Sequence, residues 1–339
     1  MIALWHEGSL GDLLLSRLAI AALTERGPAV LLARSEVRKV YVSTGLVAQS
    51  FSAETPPSGL RPKKVYFFAR SEAPRDYLQR IFPKAFLQRL PTLPEEPRHV
   101  ALFQLAMAGG CLKRAGRALR LAPRDFRREP RFLLVHPGSG GRRKCYPPER
   151  LLQALQGFSV LPVRVILGPA EEDLAPLFRE FPVCQSRTLA QALQALSQAQ
   201  AYLGNDSGLT HLAAALGVPV LALFGPTDPR LWAPFGGPVR VLYPFEHLTP
   251  QRLTLELKKF INTIPRWAAP RPKACGQPEV EPWEADSSDS EGPWGADTLS
   301  PEKRPKVEAK GPRPGPPRRF AELHLLGVEV VAVEEGEPR

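Results

Sequence analysis

The segment from residue 202 to residue 229 constrains the fold of this 339-residue chain most strongly. A short apolar strand ends at Gly204, a polar turn follows, and an Ala- and Leu-rich helix from about Ser207 to Gly217 leads into a second apolar strand. This order is typical of a parallel sheet, in which strand ends and helix starts meet at one edge. The segment therefore predicts an α/β fold.

The polar turn of this segment has the residues of an anion site. Asn205, Asp206 and Ser207 are all good helix N-caps. Gly208 leaves room for a ligand beside the first helical amides, where the helix dipole favours a phosphate. His211 follows one turn into the helix. A capped connection without a ligand is the alternative, but the next strand also ends in a polar loop, residues 225–229, at the same edge.

Strand-like and helix-like segments alternate along most of the chain. The first run ends in a long helical pattern at residues 98–119, and a charged linker at residues 123–130 follows. The alternation restarts at residue 131 and continues to residue 261. Two such runs predict two doubly wound, Rossmann-like domains that face each other across a cleft, at residues 1–130 and 131–265.

Composition changes beyond Pro265. Eleven prolines fall within residues 266–319 among acidic and small residues, so residues 266–339 are expected to be a mostly disordered Pro-rich tail. Residues 320–333 regain a strand-like apolar pattern. Two alternatives remain open for them: they dock as an edge strand, or they stay unpaired.

Charge and composition limit the function classes. Residues 1–265 contain 34 Lys and Arg against 20 Asp and Glu, which suits anionic partners. The basic stretch at residues 113–131 is either a peripheral contact with an anionic membrane or a solvated helix surface. No nucleic-acid-binding motif is present, so a nucleic acid is not expected as a partner.

Location and metal binding follow from what the sequence lacks. No run of eighteen apolar residues occurs, and the start at Met1 has no basic n-region, so a cytoplasmic protein is expected. The four cysteines show no CxxC spacing, and no His, Asp or Glu cluster has metal-ligand spacing. We therefore expect no metal site.

A Gly-rich turn at residues 7–12 follows the first strand. It leaves Asp12 near a helix N-terminus on the cleft side, where a carboxylate can act as a general base. An N-cap role is the alternative. The turn is not GxGxxG and lacks a suitably spaced acidic residue, which disfavours a Rossmann dehydrogenase.

The corresponding turn of the second domain spans residues 136–147. It offers backbone amides at Gly138, Gly140 and Gly141, a hydroxyl at Ser139, and three successive basic residues ending at Lys144. Such a loop suits a diphosphate, although it is not a P-loop. A flexible basic turn without a ligand is the alternative.

Five motifs occur in a defined order along the chain. They are Gly-Ser-Leu-Gly before Asp12, His-Pro-Gly-Ser with Lys144, Leu-Gly-Pro-Ala before Glu171, Asn-Asp-Ser-Gly-Leu-Thr-His at residues 205–211, and Gly-Pro-Thr-Asp-Pro at residues 225–229. Together they resemble the lipopolysaccharide heptosyltransferase family, glycosyltransferase family 9, over about residues 2–261. The last two are the most specific part of the resemblance.

The resemblance implies a GT-B fold and an inverting, metal-independent glycosyltransferase. The donor would be a nucleotide-diphosphate sugar of the ADP-heptose type, which is a substrate rather than a cofactor, and the acceptor a hydroxyl of a lipid-linked sugar or glycan. Asp12 would be the catalytic base, Asp206 would lie by the donor sugar, and Glu171 or Glu172 would meet the nucleoside. The full set of expected donor-binding residues is Ser139, Gly140, Lys144, Glu171, Asp206, Gly208, Leu209, Thr210 and His211.

The chain departs from the family pattern in two places. Tyr146 stands where Trp is usual, and Trp5, His6 and Glu7 replace the usual basic residue before the first Gly-rich turn. A shared base role for His6 and Asp12 therefore stays open. Two other functions also remain open: a nucleotide-sugar epimerase of the same fold and a non-catalytic nucleotide-sugar-binding protein.

Overall fold

A computed structural model describes residues 1–264 and 321–334 of the chain. They form two α/β domains, each built on a parallel sheet. The N-terminal sheet has the strand order β3-β2-β1-β4-β5. Its strands are β1 (Ile2–His6), β2 (Ala29–Ala33), β3 (Gln49–Phe51), β4 (Lys64–Ala69) and β5 (Phe86–Pro91).

Helices cover both faces of the N-terminal sheet. Leu4 of β1 packs into one apolar cluster, whereas its neighbours Ala3 and Trp5 pack into another on the opposite face, as the two-residue period of a strand requires. The helices are α1 (Leu10–Leu15), α2 (Arg17–Thr24), α3 (Arg38–Ser43), α4 (Arg75–Ile81), α5 (Val100–Met107) and α6 (Leu112–Ala115).

The C-terminal sheet has the order β12-β11-β10-β9-β6-β7-β8, with every neighbouring pair parallel. Its strands are β6 (Phe132–His136), β7 (Val163–Leu167), β8 (Val183–Gln185), β9 (Ala199–Asn205), β10 (Val220–Leu223), β11 (Val239–Tyr243) and β12 (Val328–Ala332). Its helices are α7 (Pro148–Gln156), α8 (Leu189–Ser197), α9 (Gly208–Ala215), α10 (Pro229–Trp232), α11 (Pro250–Thr263) and α12 (Ala321–His324).

The expected long helix at residues 98–119 is two helices, α5 and α6. Gly109 has φ of +68°, a left-handed conformation that ends a helix and favours glycine. A Cβ on Gly110 would lie only 2.5 Å from the Cβ of Ala22, so this backbone packs directly on α2. Helix α5 therefore stops where the chain must approach α2 closely.

One apolar cluster extends across both domains. It contains Leu13 of α1 and Leu212 of α9, because these two helices pack against each other. The fully buried Arg17 reinforces the junction: its guanidinium donates to carbonyl oxygens of Leu14, Ala118, Leu119 and Phe235. A buried guanidinium satisfied in this way ties the N-terminal domain to Phe235 of the C-terminal domain.

Arginines of the basic stretch at residues 113–131 also contact this junction. Arg117 donates to the carbonyl of Ala21, and Arg120 donates to the carbonyl of Gly236. Arg128 donates to the carbonyl of Ala199. These three side chains therefore bind the 113–131 stretch to both domains, and membrane contact by the stretch stays a prediction.

The chain returns to the C-terminal sheet after residue 320. Strand β12 pairs with β11, and Leu323, Leu326 and Val328 are buried. Of the two alternatives for residues 320–333, docking as an edge strand is the one observed. The C-terminal domain thus extends beyond the expected boundary at residue 265, because the edge of β11 offers unpaired backbone groups that β12 satisfies. The expected disorder of residues 266–320 and 335–339 lies outside the described residues.

Within residues 1–264 and 321–334, no helix combines the length and apolar character needed to cross a lipid bilayer.

Candidate functional site

The first Gly-rich turn holds Asp12 by a local capping box. Its Oδ2 accepts hydrogen bonds from the backbone N–H of Ser9, at 3.1 Å, and from the Ser9 hydroxyl, at 3.0 Å. Oδ1 has no hydrogen bond to any described residue, and the side chain is half-buried. Ser9 is therefore the N-cap of helix α1 and Asp12 is the N3 residue of its capping box, so the N-cap alternative for Asp12 is wrong, and its role as a general base stays a prediction.

His6 does not fit the alternative role of a second base. Its Nδ1 accepts from the Gly8 amide at 3.0 Å, so the neutral ring carries its proton on Nε2, 3.0 Å from the hydroxyl of Ser16. Burial lowers the pKa of His6 to about 4, against a smaller raising effect of Asp12. Both ring nitrogens are thus occupied within the core, and His6 supports the turn.

Gly8 brings His6 and Asp12 close together. A Cβ at this position would lie 2.6 Å from Cβ of Asp12 and 2.6 Å from Cε1 of His6. No side chain fits between them, so the turn requires glycine here.

In the second domain, Asn205 at the end of β9 fastens the 136–147 loop. Its Nδ2 donates to the carbonyl of Pro137 at 2.7 Å, and its Oδ1 accepts from the Tyr146 amide at 2.9 Å. Asn205 is fully buried. The two ends of the loop are therefore fixed to one side chain, while Gly140 between them is exposed.

Asp206 is the electrostatic centre of the site. Its Oδ2 lies 2.9 Å from Nζ of Lys144, and its Oδ1 lies 3.7 Å from Nε2 of His211. The Ser139 hydroxyl donates to the Asp206 carbonyl at 2.5 Å. Burial raises the pKa of Asp206, but His211 and Lys144 outweigh it and hold this pKa well below its usual range. A buried, ionised carboxylate thus orients two groups that were predicted to bind the donor.

Helix α9 begins with capping contacts that leave two amides open. Ser207 accepts from the Thr210 amide at 3.3 Å, and the Thr210 hydroxyl donates to the Asn205 carbonyl at 2.5 Å. The amides of Gly208 and Leu209 have no acceptor among the described residues. Thr210 is fully buried, so its side chain builds the turn, and the open amides are the groups suited to a phosphate.

The two domains meet at the start of helix α9. A Cβ on Gly208 would lie 2.8 Å from Cδ2 of Leu10, and a Cβ on Gly11 would lie 3.2 Å from Cδ2 of His211. Close packing between α1 and α9 therefore requires glycine at position 208, whereas ligand access at Gly208 stays a prediction. Gly11 at the start of α1 thus packs on the His211 side chain of α9.

Glu171 lies beneath the 136–147 loop. Its Oε2 accepts from the Gly168 amide at 3.0 Å and lies 3.7 Å from Nε2 of His136. A Cβ on Gly138 would overlap its carboxyl at 2.3–2.4 Å. Burial raises the pKa of Glu171, but His136 and the Gly168 amide reverse this and leave a lowered pKa. Glu172 points elsewhere, to Arg187 at 2.9 Å.

Three buried polar atoms at this edge of the sheet lack hydrogen-bond partners among the described residues. They are Nδ1 of His136, Nδ1 of His211 and Oγ1 of Thr227. His136 ends β6, His211 lies in the helix after β9, and Thr227 lies in the loop after β10. Buried polar groups are normally satisfied, so we expect a polar ligand or bound water to supply their partners. In the described part of the chain, no group of three or more His, Cys, Asp or Glu is arranged to hold a metal ion.

Sequence reasoning placed most of these residues correctly at one edge, but it missed two that support the site. Asn205 was assigned only as an N-cap candidate, and His136 only as part of a motif. The position of each at the last residue of a buried strand was the available signal.

Comparisons with known proteins agree with this geometry. Residues 107–254 match the family described as Glycosyltransferase family 9 (heptosyltransferase). These residues belong to glycosyltransferase family 9. The match covers the 136–147 loop, Glu171, Asp206 and helix α9, whereas the Asp12 turn lies before it.

Among the curated proteins to which this chain is similar is lipopolysaccharide heptosyltransferase 3 of Escherichia coli K12. It is 26% identical over 175 residues, which are 48% of this chain and 49% of the relative. The chain spans half or less of the length of the first curated relatives that it matches.

Two solved structures show the same GT-B fold. E. coli heptosyltransferase WaaC with ADP has a TM-score of 0.57 at 16% identity, over 77% of this chain and 100% of that one. A glycosyl transferase family 9 protein from Veillonella parvula has a TM-score of 0.61 at 15% identity, over 77% of this chain and 97% of that one.

Proposed function

We propose that this protein is an inverting, metal-independent glycosyltransferase. It transfers a sugar from a nucleotide-diphosphate donor of the ADP-heptose type to a hydroxyl of a glycolipid or glycan acceptor. The curated relatives are named as lipopolysaccharide heptosyltransferases, and one similar structure contains ADP, which supports this choice of donor and acceptor.

The packing of the first Gly-rich turn against the Lys144, Asp206 and His211 cluster carries the proposal. Lys144, Asp206 and His211 form a row of charged and polar groups from the donor loop to helix α9. Gly11 contacts the end of this row, and Asp12 follows it directly. An inverting displacement requires this combination: a base for the acceptor and positive charge for the leaving diphosphate.

The chemistry assigns one task to each group. Oδ1 of Asp12 accepts the proton of the acceptor hydroxyl as that oxygen attacks the anomeric carbon. The bond from the anomeric carbon to the diphosphate oxygen breaks on the opposite face, which inverts the configuration. Lys144 and the amides of Gly208 and Leu209 stabilise the charge that develops on the diphosphate. No covalent intermediate is needed.

Acceptor dependence is the test of this function. The full-length protein is incubated with a panel of nucleotide sugars, with and without glycan acceptors, and free nucleotide diphosphate is measured. We expect release only with acceptor, a product of inverted anomeric configuration by NMR, and unchanged turnover in excess EDTA. Conversion of the donor sugar without acceptor would instead identify an epimerase, and nucleotide binding without turnover a binding protein.

Membrane association is tested separately. A lipid-linked acceptor would place the enzyme at a membrane surface, and the basic N-terminal part of the chain suits an anionic one. Co-sedimentation with anionic vesicles but not with neutral vesicles is the expected result.

A further inference from the structure

The C-terminal segment at residues 321–334, which we call the strap, contacts both domains. Its strand β12 lies on the edge of the C-terminal sheet, whereas Glu322 of α12 contacts the start of helix α5 in the N-terminal domain. The strap lies outside residues 107–254, which match the family. A segment that contacts two domains influences how they move relative to each other.

The strap is anchored on the C-terminal domain by backbone pairing and apolar burial. All five residues of β12 are in parallel register with β11, from Val328 opposite Val239 to Ala332 opposite Tyr243. Leu323 is buried in the apolar cluster that extends across both domains, together with Leu326 and Val328. Release of β12 would expose these side chains and the β11 edge, so this end of the strap is held strongly.

Glu322 attaches the strap to the N-terminal domain through two weak contacts. Its Oε2 accepts from the backbone N–H of His99 at 3.4 Å, and its Oε1 lies 3.4 Å from Nε of Arg98. The side chains of Arg98 and Glu322 are each 46% exposed. Exposed ion pairs contribute little to stability, so this end of the strap is released at small cost.

The Glu322 contact lies where the two domains meet. Nε2 of His99 lies 2.9 Å from the carbonyl oxygen of Ala233, and the His99 ring packs edge-on against Phe235 with ring centroids 5.8 Å apart. Ala233 and Phe235 belong to the C-terminal domain. If the domains separate here, Glu322 must also lose His99, because the strap stays on the C-terminal sheet.

The two ends of the strap therefore differ in strength. We infer that the strap is a releasable latch between the domains: β12 stays paired with β11, while Glu322 holds the start of α5 and favours the arrangement in which the domains are packed together. This latch does not depend on the chemistry proposed above. It sets how often the two domains separate.

The distance between the domains is the direct test. Two dyes are attached to the full-length protein through unnatural amino acids at Lys84 and Arg179, exposed positions of the N-terminal and C-terminal domains. Single-molecule energy transfer then reports the fraction of molecules with separated domains. Glu322→Arg replaces attraction to Arg98 by repulsion, and we expect it to increase the separated fraction about 3- to 10-fold.

Two further variants control for the change of charge. Glu334→Arg makes the same change at another exposed position of the strap and should match the unmodified protein. The double variant Arg98→Glu with Glu322→Arg restores opposite charges at the same two positions. It should reverse most of the increase in the separated fraction.

Hydrogen–deuterium exchange shows which end of the strap is released. In Glu322→Arg we expect faster exchange at residues 98–101 and unchanged exchange in β11, since β12 stays paired. Faster exchange at residues 98–101 with unchanged dye distances would make Glu322 only a local cap of α5, which overturns the inference. Faster exchange in β11 would mean that the whole strap detaches, which overturns it as well.

The charge variants give two more ways for the inference to fail. It is overturned if Glu334→Arg separates the domains as much as Glu322→Arg does. It is also overturned if the double variant shows the same separated fraction as Glu322→Arg alone.

Discussion

Lys144 Nζ lies 2.9 Å from Oδ2 of Asp206, and this ion pair joins the exposed donor loop to the buried start of helix α9. The Lys144 side chain is 35% exposed, whereas that of Asp206 is 8% exposed. Lys144 therefore compensates a buried charge in the free protein, and in the proposed function it also presents positive charge to the donor diphosphate.

Lys144→Ala should consequently impair both donor binding and stability. Loss of a charge-assisted hydrogen bond to the diphosphate should weaken ADP binding by about 1.5–3 kcal/mol in calorimetry. Leaving Asp206 without its lysine should lower the free energy of unfolding by about 1–3 kcal/mol. Arg142→Ala is the matched control from the same loop, because its partner Asp173 is exposed and such pairs contribute little. Equal unfolding curves for the two variants would contradict the dual role.

The stability loss in Lys144→Ala should depend on pH. The pKa of Asp206 is lowered in the folded protein, so its interactions stabilise the fold above the unfolded-state pKa of about 4 and are lost progressively as pH falls. The difference between the unmodified protein and the variant should thus be largest near neutral pH and shrink below about pH 4. Denaturant unfolding at several pH values measures it, and a constant difference would argue against an electrostatic origin.

Asp12→Asn should separate catalysis from donor binding. The amide oxygen can still accept from Ser9 and cap helix α1, so folding and ADP affinity should change little. Turnover should fall by about 100-fold or more, because the general base is lost. Turnover equal to that of the unmodified protein would remove Asp12 from the mechanism. His6 would not replace it, since both of its ring nitrogens are occupied.

His99 should make the domain junction sensitive to acid. Its Nε2 lies 2.9 Å from the Ala233 carbonyl of the other domain, and its Nδ1 accepts from the Ala101 amide. Burial lowers the pKa of His99 to about 4, helped by His211 and Arg17 and opposed by the Ala233 bond. The unfolded chain therefore binds the proton more readily, and stability should fall between pH 6.5 and 4 by up to about 3 kcal/mol.

His99→Asn is the variant that tests this. Asparagine can accept from the Ala101 amide as an N-cap but does not titrate, so stability should depend less steeply on pH between 6.5 and 4. His324→Asn, at an exposed histidine, should leave the pH dependence unchanged. If the free energy of unfolding of His99→Asn and of His324→Asn changed equally with pH between 6.5 and 4, the domain junction would not be the acid-sensitive element.

Truncation after Pro265 should destabilise the protein. It removes β12 from the edge of β11 and deletes the buried Leu323, Leu326 and Val328, each of which contributes about 1.5–3 kcal/mol of apolar burial. The exposed β11 edge should also promote aggregation. Thermal unfolding and light scattering should show both effects. Removal of residues 335–339 alone should cause neither effect. Equal behaviour of the two truncated proteins would mean that β12 contributes nothing to the stability of the fold.

The sequence predicted the two parallel α/β domains and the edge at which the site forms. The predicted alternation of strands and helices up to residue 261 agrees with the observed element order, because apolar runs ended by Gly or polar turns are local signals. The same local signals placed Asp12, Ser139 and Asp206 after the ends of strands, as the structure has them. Each follows a strand of a parallel sheet, and such strand ends necessarily meet.

Only the tertiary structure decided which partners these residues have. Contacts between residues distant in the chain place His6 in the core and Glu171 against Gly138. Such a contact also decides that Lys144 is paired rather than free. The docking of β12 beside β11 depends likewise on a pairing between remote segments. The hydrophobic period of a segment predicts which face of that helix or strand is buried. The partners of each side chain come from other elements of the fold. No local pattern therefore encodes its ion pairs or its pKa.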